Sequence, residues 1–600
     1  MAGKIARIQE VLNPENLAFQ LTGLYSTWRI QRATKEADWR ELRNYLFATD
    51  TTTTTNSQLP WKNKTTIPKL TQIRDNLHAN YMDALFPNDD WLRWEGYSAD
   101  DVVASKRRAI QAYMKNKLRE SGFRETVSSL IQDYIDYGNA FGEVVWVEER
   151  HKDPLTEEMV DTYIGPKLIR VSPTDIIFNP TAISFDKSPK FTRYLKSLGE
   201  LEIDIREGNL GYDKAVLDKI KKTRHTLTQF QMEDIDKASA YLVDGFGSLQ
   251  EYYQSGLVEI IEFEGTIYDD IAGVNHENKI ITIVDRTDIL RNVDNPSWLG
   301  TDSKLHVGWR DRPDNLYSSG PLDNLVGMQY RVDHLENLKA DALDMTIHPP
   351  IVIQGDVEPF TWQPEEVIRI PEDGSVSTLP PNAQAFQVNN EIAYLLGLME
   401  EMAGAPKEAM GFRTQGEKTA FEVDKLDNAA QRIFRNKSNK FEVRFIEVAL
   451  NKMLEVAKRN LNMTDIVRVM DDDLGVVEFL SITKEDITAK GKLRPIGSRH
   501  FAARAQLMQN MLGVFNSPVG QMIAPHVSAK KLAKLVEEQM GFEKYEFIQD
   551  NIAVIEQGET QRLVNQTQQA VQSEDAQPTE ENLLNTPDEE EEPVQQSLDI

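Results

Sequence analysis

Residues 391–460 read EIAYLLGLME EMAGAPKEAM GFRTQGEKTA FEVDKLDNAA QRIFRNKSNK FEVRFIEVAL NKMLEVAKRN, and their punctuation decides how the chain is organised. A helix beginning near Glu391 must stop at Gly404-Ala405-Pro406, because proline has no N–H to donate and its ring clashes with the preceding turn. Thr414-Gln415-Gly416-Glu417 then has the form of a capping box, in which hydroxyl and carboxylate satisfy each other's free backbone donors. From Glu417 to Asn460 there is neither proline nor glycine, and Val423, Leu426, Ala430, Ile433, Phe441, Phe445 and Val448 recur at helical spacing. The spacing predicts one helix of about 44 residues, roughly 65 Å at 1.5 Å per residue. A helix of that length exceeds what one globular core needs. It implies a scaffold spanning the molecule or a surface against sister subunits.

On the N-terminal side, Ser318-Ser319-Gly320-Pro321 places proline at a first helical position, and His348-Pro349-Pro350 ends that helix after Ile347. Residues 351–388 are short β-like pieces among prolines. Before 318 the period is different. Glu143–Val147 (EVVWV), Lys167–Val171 (KLIRV), Val258–Phe263 and Lys279–Val284 read as strands of a β-rich region over 140–310. A polar, partly helical insertion interrupts it at 197–245, and Trp309-Arg310-Asp311-Arg312-Pro313 closes it. The first 50 residues read as amphipathic helix, with Leu17, Leu21, Leu24, Trp28, Trp39, Leu42, Tyr45 and Leu46. Thr51–Gln58 (TTTTTNSQ) reads as an exposed loop. Helix returns over 65–86 until Phe86-Pro87-Asn88-Asp89-Asp90, and again over 100–138 until Tyr137-Gly138-Asn139. Residues 461–497 read as a short mixed segment and 499–568 as shorter helices. From about 570 onward the chain is Gln-, Glu- and Asp-rich and is expected to be disordered, with Asp588–Glu592 a pure acid run. That tail is read as a solubilising end, with a tether for a basic partner as the alternative.

The 600 residues allow several domains and a sizeable core, and the composition is globular. With 95 acidic and 67 basic side chains the formal charge is −28, the opposite of what a protein gripping nucleic acid by counterion release requires. No apolar run approaches the roughly 20 residues a membrane span needs, and Met1–Arg7 lacks the apolar core of a secretory signal. The absence of cysteine removes disulfides, thiolate metal sites and cysteine nucleophiles together.

The search for chemistry returns little. There is no G-x-x-x-x-G-K-[ST] phosphate cradle, no G-x-G-x-x-G after a strand and no G-x-S-x-G elbow. The nine histidines are scattered, without metal-ligand spacing. Asp471-Asp472-Asp473, with Glu478 nearby, is the best carboxylate cluster. It reads as a solvated turn, with a Mg²⁺ pair for phosphoryl transfer as the alternative. Asp341 and Asp344 read as a solvated helix face. Lys407, Arg413 and Lys418, in a loop bounded by Gly404, Gly411 and Gly416, are candidates for transient contact with a phosphate backbone; the other reading is solvated charge balanced by Glu408 and Glu417. Lys490, Lys492 and Arg494 form a second small basic patch. No catalytic residue, metal or cofactor is assigned.

The order of these elements resembles the portal proteins of tailed bacteriophages, of the podovirus head–tail connector type. Ser319-Gly320-Pro321-Leu322 is similar to the start of that family's first stem helix. Gly404-Ala405-Pro406 through Gly411 resembles the turn before its long kinked helix. Glu417–Glu422 and Phe445–Leu454 look like that helix, and Asn63–Leu70 with Phe86-Pro87 is similar to the connectors' N-terminal part. The resemblance covers most of 60–560.

It implies an α+β, mainly helical portal fold with wing, stem, clip and helical crown. Residues 1–139 would be the helical part of the wing, 140–317 its β-rich part, 318–347 and 391–403 the stem helices, and 348–390 the clip. The tunnel loop would be 404–418, the long wing helix 419–461, the mixed region and crown 462–569, and the acidic tail 570–600. It further implies a ring, typically of twelve, around double-stranded DNA at the capsid vertex of the virion, assembled in the host cytoplasm. The implied partners are the terminase large subunit, head–tail adaptor and tail proteins, and the major capsid and scaffold proteins, with no membrane and no enzymatic activity. An acidic wall with a few basic rings would let DNA slide, whereas a strongly cationic lumen would trap it. A virion protein that forms no channel, and a Mg²⁺-dependent nuclease built on Asp471–Asp473, are the rival readings.

Overall fold

The computed structural model describes residues 17–59, 61–86, 91–96, 104–152, 159–207, 210–226, 257–270, 272–355, 370, 374–378, 387–403, 433–461, 465–471, 476–488 and 491–495. The chain divides into two compact units, Met1–Val469 with Val477–Ala502, and Met470–Val476 with Ala503–Ile600. Nearly every described residue lies in the first unit, to which the following applies. It is a mixed α+β structure, about half helical, with several small antiparallel sheets.

The N-terminal helix α1, Leu17–Leu46, is about 45 Å long at 1.5 Å per residue. Its apolar residues fall in three groups, and each group enters a different core. Leu17, Ala18, Leu21, Tyr25 and Trp28 pack on one face of a five-stranded antiparallel sheet. That sheet has the order β4 (Ile176–Phe178), β5 (Lys190–Ser197), β6 (Leu257–Asp269), β7 (Val274–Val284), β8 (Asp288–Asp294). Successive strand residues point to opposite faces. Ile261 and Phe263 therefore meet α1, while Val258 and Ile260 meet Leu201 of α5 (Leu198–Glu207) and Leu217 and Ile220 of α6 (Lys214–Thr226). Further along α1, Trp39 joins an aromatic cluster with Tyr137, Phe141, Phe178, Phe185 and Tyr317. Leu42, Tyr45 and Leu46 then enter the largest core.

That core gathers α2 (Lys69–Leu85), α3 (Ala104–Glu120) and α4 (Phe123–Asp136) with the three-stranded sheet β3 (Met159–Val171), β2 (Asn139–Lys152), β9 (Lys304–Gly308). The helical block expected over 100–138 is two helices. Gly122 separates them at φ +64°, a left-handed conformation that glycine adopts without steric cost. β2 contains EVVWV and pairs antiparallel with the KLIRV of β3, Val144 opposite Leu168. β1 (Leu92–Gly96) pairs with β16 (Gly491–Pro495), Leu92 opposite Pro495, a pairing that local pattern could not announce. Strands β10 (Arg310–Arg312) and β11 (Asn315–Ser319) complete the approach to the next helix.

The expected helix after Pro321 begins later, as α7, Val326–Ile347. Asp323 is the physical reason. Its carboxylate accepts the Gly320 N–H at 3.1 Å and pairs with Lys35 at 2.6 Å, which holds the residues after Gly320 in a turn. Gly320 also lies against Gly138, where a methyl group on Gly138 would be 2.3 Å from the Gly320 nitrogen. Asn139 Nδ2 donates to the Ser318 carbonyl and Asn139 Oδ1 accepts from Ser318 N. The glycines of Tyr137-Gly138-Asn139 and Ser319-Gly320-Pro321 thus face each other as a close-contact pair.

Thr51–Gln58 is not the exposed loop its composition suggested. It forms two short 3₁₀ turns, Thr51–Thr53 and Thr55–Gln58, with Thr51, Thr54 and Asn56 buried. Asp50 caps the first by accepting Thr52 N, Tyr45 Oη meets Thr55 at 2.7 Å, and Asn56 Nδ2 donates to the Tyr330 carbonyl. Of the long helix expected over 417–460, residues 433–460 are described and helical. A π-helical turn at Glu442–Ile446 leads into α9 (Glu447–Asn460). Lys440 and Arg444 on this segment pair with Asp311, at 2.6 and 2.9 Å.

Candidate functional site

Two helices that pack on each other carry the element order on which the functional expectation rested. α7 is followed by a two-stranded antiparallel sheet, β12 (Ile351–Gln354) with β13 (Ser375–Thr378), and then by α8 (Val388–Met402).

The first half of α7 is held by a polar ladder. Gln329, Asp333, Asn337 and Asp341 recur every four residues, which puts them on one face. The extended segment Lys62–Ile67 lies along that face. Gln329 Nε2 donates to the Ile67 carbonyl at 2.5 Å, while Asp333 accepts Ile67 N at 3.0 Å and Thr66 Oγ1 at 2.9 Å. Asn337 takes both backbone groups of Thr65, accepting its N–H at 2.8 Å and donating to its carbonyl at 2.7 Å. Asp341 accepts from Lys62 N, Asn63 N and Asn63 Nδ2, and Asp344 accepts from Asn63 Nδ2 at 2.9 Å. Asp341, half-buried, and Asp344, exposed, therefore hold a strap as well as facing solvent, so the solvated helix face read from the sequence also has a partner. The strap is part of the Asn63–Leu70 stretch quoted above. Burial raises Asp333 above the ordinary carboxylate range, and the donors from Ile67, Thr66 and Gln329 oppose that.

The second half of α7 keeps the strap contacts of Asp341 and Asp344 but loses its apolar cover. No residue after Asn337 is buried, and Leu338, Leu343, Met345 and Ile347 are exposed, Ile347 by 68 %. Ile353 on β12 and Tyr394 and Met402 on α8 are also exposed, Tyr394 by 64 %. α8 is anchored along its length by Ile392 and Met399 in the main core and by an ion pair of Glu400 with Lys69. The helix pair is built into the unit through Val332, Leu335, Ile392 and Met399, and it leaves Leu343, Met345 and Ile347 of α7 and Tyr394 and Met402 of α8 exposed.

The sequence-derived cations fare differently. Lys407, Arg413 and Lys418 lie outside the described residues, as does Lys490. Lys492 and Arg494 are on β16, where Arg494 pairs with Glu95 at 3.2 Å and Lys492 stands opposite Glu95 in the register. Asp471 ends β14 (Asp465–Asp471) and Glu478 is in β15 (Val476–Ile482), while Asp472 and Asp473 lie outside the described residues. Among the described residues no three His, Asp or Glu side chains are grouped to hold a metal ion, and no helix is long and apolar enough to cross a membrane. The crown helices and the acidic tail also lie outside the described residues.

Sequence reasoning missed the ladder, although the Gln-x₃-Asp-x₃-Asn-x₃-Asp spacing at 329, 333, 337 and 341 signals a polar helix face. Polar residues at every fourth position of a helix that elsewhere shows apolar residues need a partner, and only the fold supplies its identity. Compared with known proteins, the chain matches no family model and no curated protein.

Proposed function

We propose that this chain is one subunit of a ring-shaped conduit for double-stranded DNA, of the kind formed by the portal proteins of tailed phages. The observation that carries the reading is the helix pair α7/α8. It is anchored in the main core, its helices are separated in sequence by a two-stranded sheet, and the end of α7 leaves Leu343, Met345 and Ile347 exposed. Contiguous exposed apolar patches mark interaction sites, and head-to-tail contacts close into rings when the rotation permits. In this reading α7 and α8 are the stem and the segment around β12 and β13 is the clip, the platform for a packaging motor and tail adaptor. Residues 404–418, which lie outside the described residues, take the tunnel-loop role by the resemblance, with Lys407, Arg413 and Lys418 as the DNA contacts. The net charge of −28 supports a conduit that DNA crosses without being held.

Native mass spectrometry of the purified full-length protein tests the proposal. A closed assembly of one stoichiometry, near the family's twelve, is expected. A monomer, a dimer or an open-ended series of oligomers contradicts it.

A further inference from the structure

Strand β9 stands at one edge of its three-stranded sheet and, among the described strands, is paired with β2 alone. Its hydrogen-bond parity is fixed at both ends. Val144 N donates to the Ser303 carbonyl and Trp309 N donates to the Gly138 carbonyl. The odd-numbered residues of β9 therefore turn their backbone groups toward β2, and Lys304, His306 and Gly308 turn theirs away from the sheet. An open row of that kind is a template for another strand.

Lysines cover most of the row. Lys452 Nζ donates to the carbonyls of Asp302 and Lys304, at 2.6 and 3.0 Å, and Lys440 Nζ donates to the Gly308 carbonyl. His306 stands between them. Among the described residues neither its backbone N–H nor its C=O makes a hydrogen bond.

A cavity of about 450 Å³ opens at this place, within the size range of ligand sites, about 300–1,000 Å³. Leu305, His306, Val307 and Gly308 all line it. Leu305 and Val307 are buried in the main core, whereas the His306 ring stacks on Phe141 of the aromatic cluster. Successive strand residues point to opposite faces, so four in a row share one wall only where that wall is the strand's edge. Phe185, Leu316, Val443 and Val448 supply apolar wall around it.

These features match a peptide unit. In an antiparallel pair one residue exchanges both its N–H and its C=O with the residue opposite, and His306 offers that pair of groups. From Lys304 to Gly308 is about 13 Å at 3.3 Å per residue, which leaves about three residues between the two lysines. Residues directly opposite share a face, so the incoming side chain at the centre would lie beside the His306 imidazole. Asn139 Nδ2 is committed to the Tyr137 and Ser318 carbonyls, so Asn139 Oδ1 accepts from Nε2–H of His306 and Nδ1 is left as an acceptor. Among the described residues Nδ1 makes no hydrogen bond. A threonine or serine hydroxyl suits it, and branched apolar residues on either side suit the apolar wall.

We propose that the open edge of β9 at His306 docks a short extended segment of another protein, which adds to the sheet as an antiparallel strand. The site is independent of the conduit reading, and peptide binding by a protein that forms no ring would leave it standing.

Isothermal titration of the full-length protein with the capped pentapeptide acetyl-Ser-Val-Thr-Val-Ser-amide tests it, together with amide hydrogen exchange over 304–308. Saturable binding is expected, with exchange over 304–308 slowed about tenfold or more at saturation. Methylating the central threonine nitrogen removes the N–H that would meet the His306 carbonyl, and should weaken binding about tenfold. Val448 is 37 % exposed, so Val448→Trp fills the cavity without entering the core, and should abolish binding while leaving the thermal unfolding curve in place. No saturable binding, equal affinity for the methylated peptide, or full binding in Val448→Trp would overturn the proposal. So would complete protection of 304–308 in the protein alone, because its own chain would then occupy the edge.

Discussion

The β-rich region and the helix pair solve opposite problems. Between the five-stranded sheet and the three-stranded sheet, charge is buried and matched. Lys304, 1 % exposed, reaches Glu143 at 3.0 Å, Glu262 at 2.5 Å and Glu264 at 3.2 Å, and Tyr194 Oη donates to Glu143. Beside it Lys190 pairs with Asp302, and Lys452 of α9 donates to the carbonyls of Asp302 and Lys304. Burial alone would lower the Lys304 ammonium, but Glu143 and Glu262 outweigh it and hold the group well above the ordinary lysine value. Glu143, Glu262, Glu264 and Asp302 each find a lysine within the unit. The distal half of α7 and the outer face of α8 present apolar side chains that find none. The difference separates a part whose buried charges are matched within the unit from a part whose apolar side chains stay exposed, where the proposed function places contacts with other subunits.

The comparison breaks most visibly if the buried charges are dispensable. Lys304→Met leaves three carboxylates without their shared cation, and stranding buried charge costs about 3–5 kcal/mol. Urea unfolding followed by circular dichroism should show a loss of that size, and a change below about 1 kcal/mol would mean that water screens the network.

Next in size is the strap on α7. Asp333→Ala removes the acceptor for Ile67 N, Thr66 Oγ1 and Gln329 Nε2. The expected cost is about 1–3 kcal/mol, with faster amide hydrogen exchange over 62–67. Unchanged exchange there would show that the strap is held by other means.

A third effect depends on pH. His306 stacks on Phe141 with ring centroids 4.6 Å apart, and its Nε2 lies 3.0 Å from Asn139 Oδ1. Asn139 Nδ2 is committed to the Tyr137 and Ser318 carbonyls, so Oδ1 is the acceptor and Nε2 carries the proton of a neutral ring. Burial lowers the His306 pKa to about 3, against about 6.5 in an unfolded chain. The unfolded state therefore binds the extra proton between these values. The stability that neutral His306 contributes is complete above pH about 6.5 and is lost as pH falls toward 3, by up to about 1.4 kcal/mol per pH unit. His306→Gln should flatten that part of the profile, and an unchanged slope would refute the assignment.

The smallest expected effect on stability belongs to the exposed end of the helix pair. Ile347→Glu and Tyr394→Glu should shift the unfolding transition by no more than about 0.5 kcal/mol while reducing assembly. A large loss of stability would show that these side chains serve their own chain's fold.

What was legible in the sequence follows the range of the interactions. EVVWV and KLIRV announced β2 and β3 because apolar and β-branched runs carry their own signal, and the stops at Phe86 and His348 lie at proline-marked breaks. Thr51–Gln58 was misread because its burial is set by Lys64 and Tyr330, which local composition does not reveal. β1 was missed because its partner strand lies near residue 493. The partners of Asp341 and Asp344 were hidden because the groups they hold belong to residues 62 and 63, more than 270 positions away.

Electron microscopy of the purified full-length protein, with end-on views classified by rotational symmetry, tests the central claim most directly. The account predicts a closed ring with a central hole at least about 20 Å wide, enough for a B-form duplex. Single subunits or open chains, with no closed class among the particles, would contradict it.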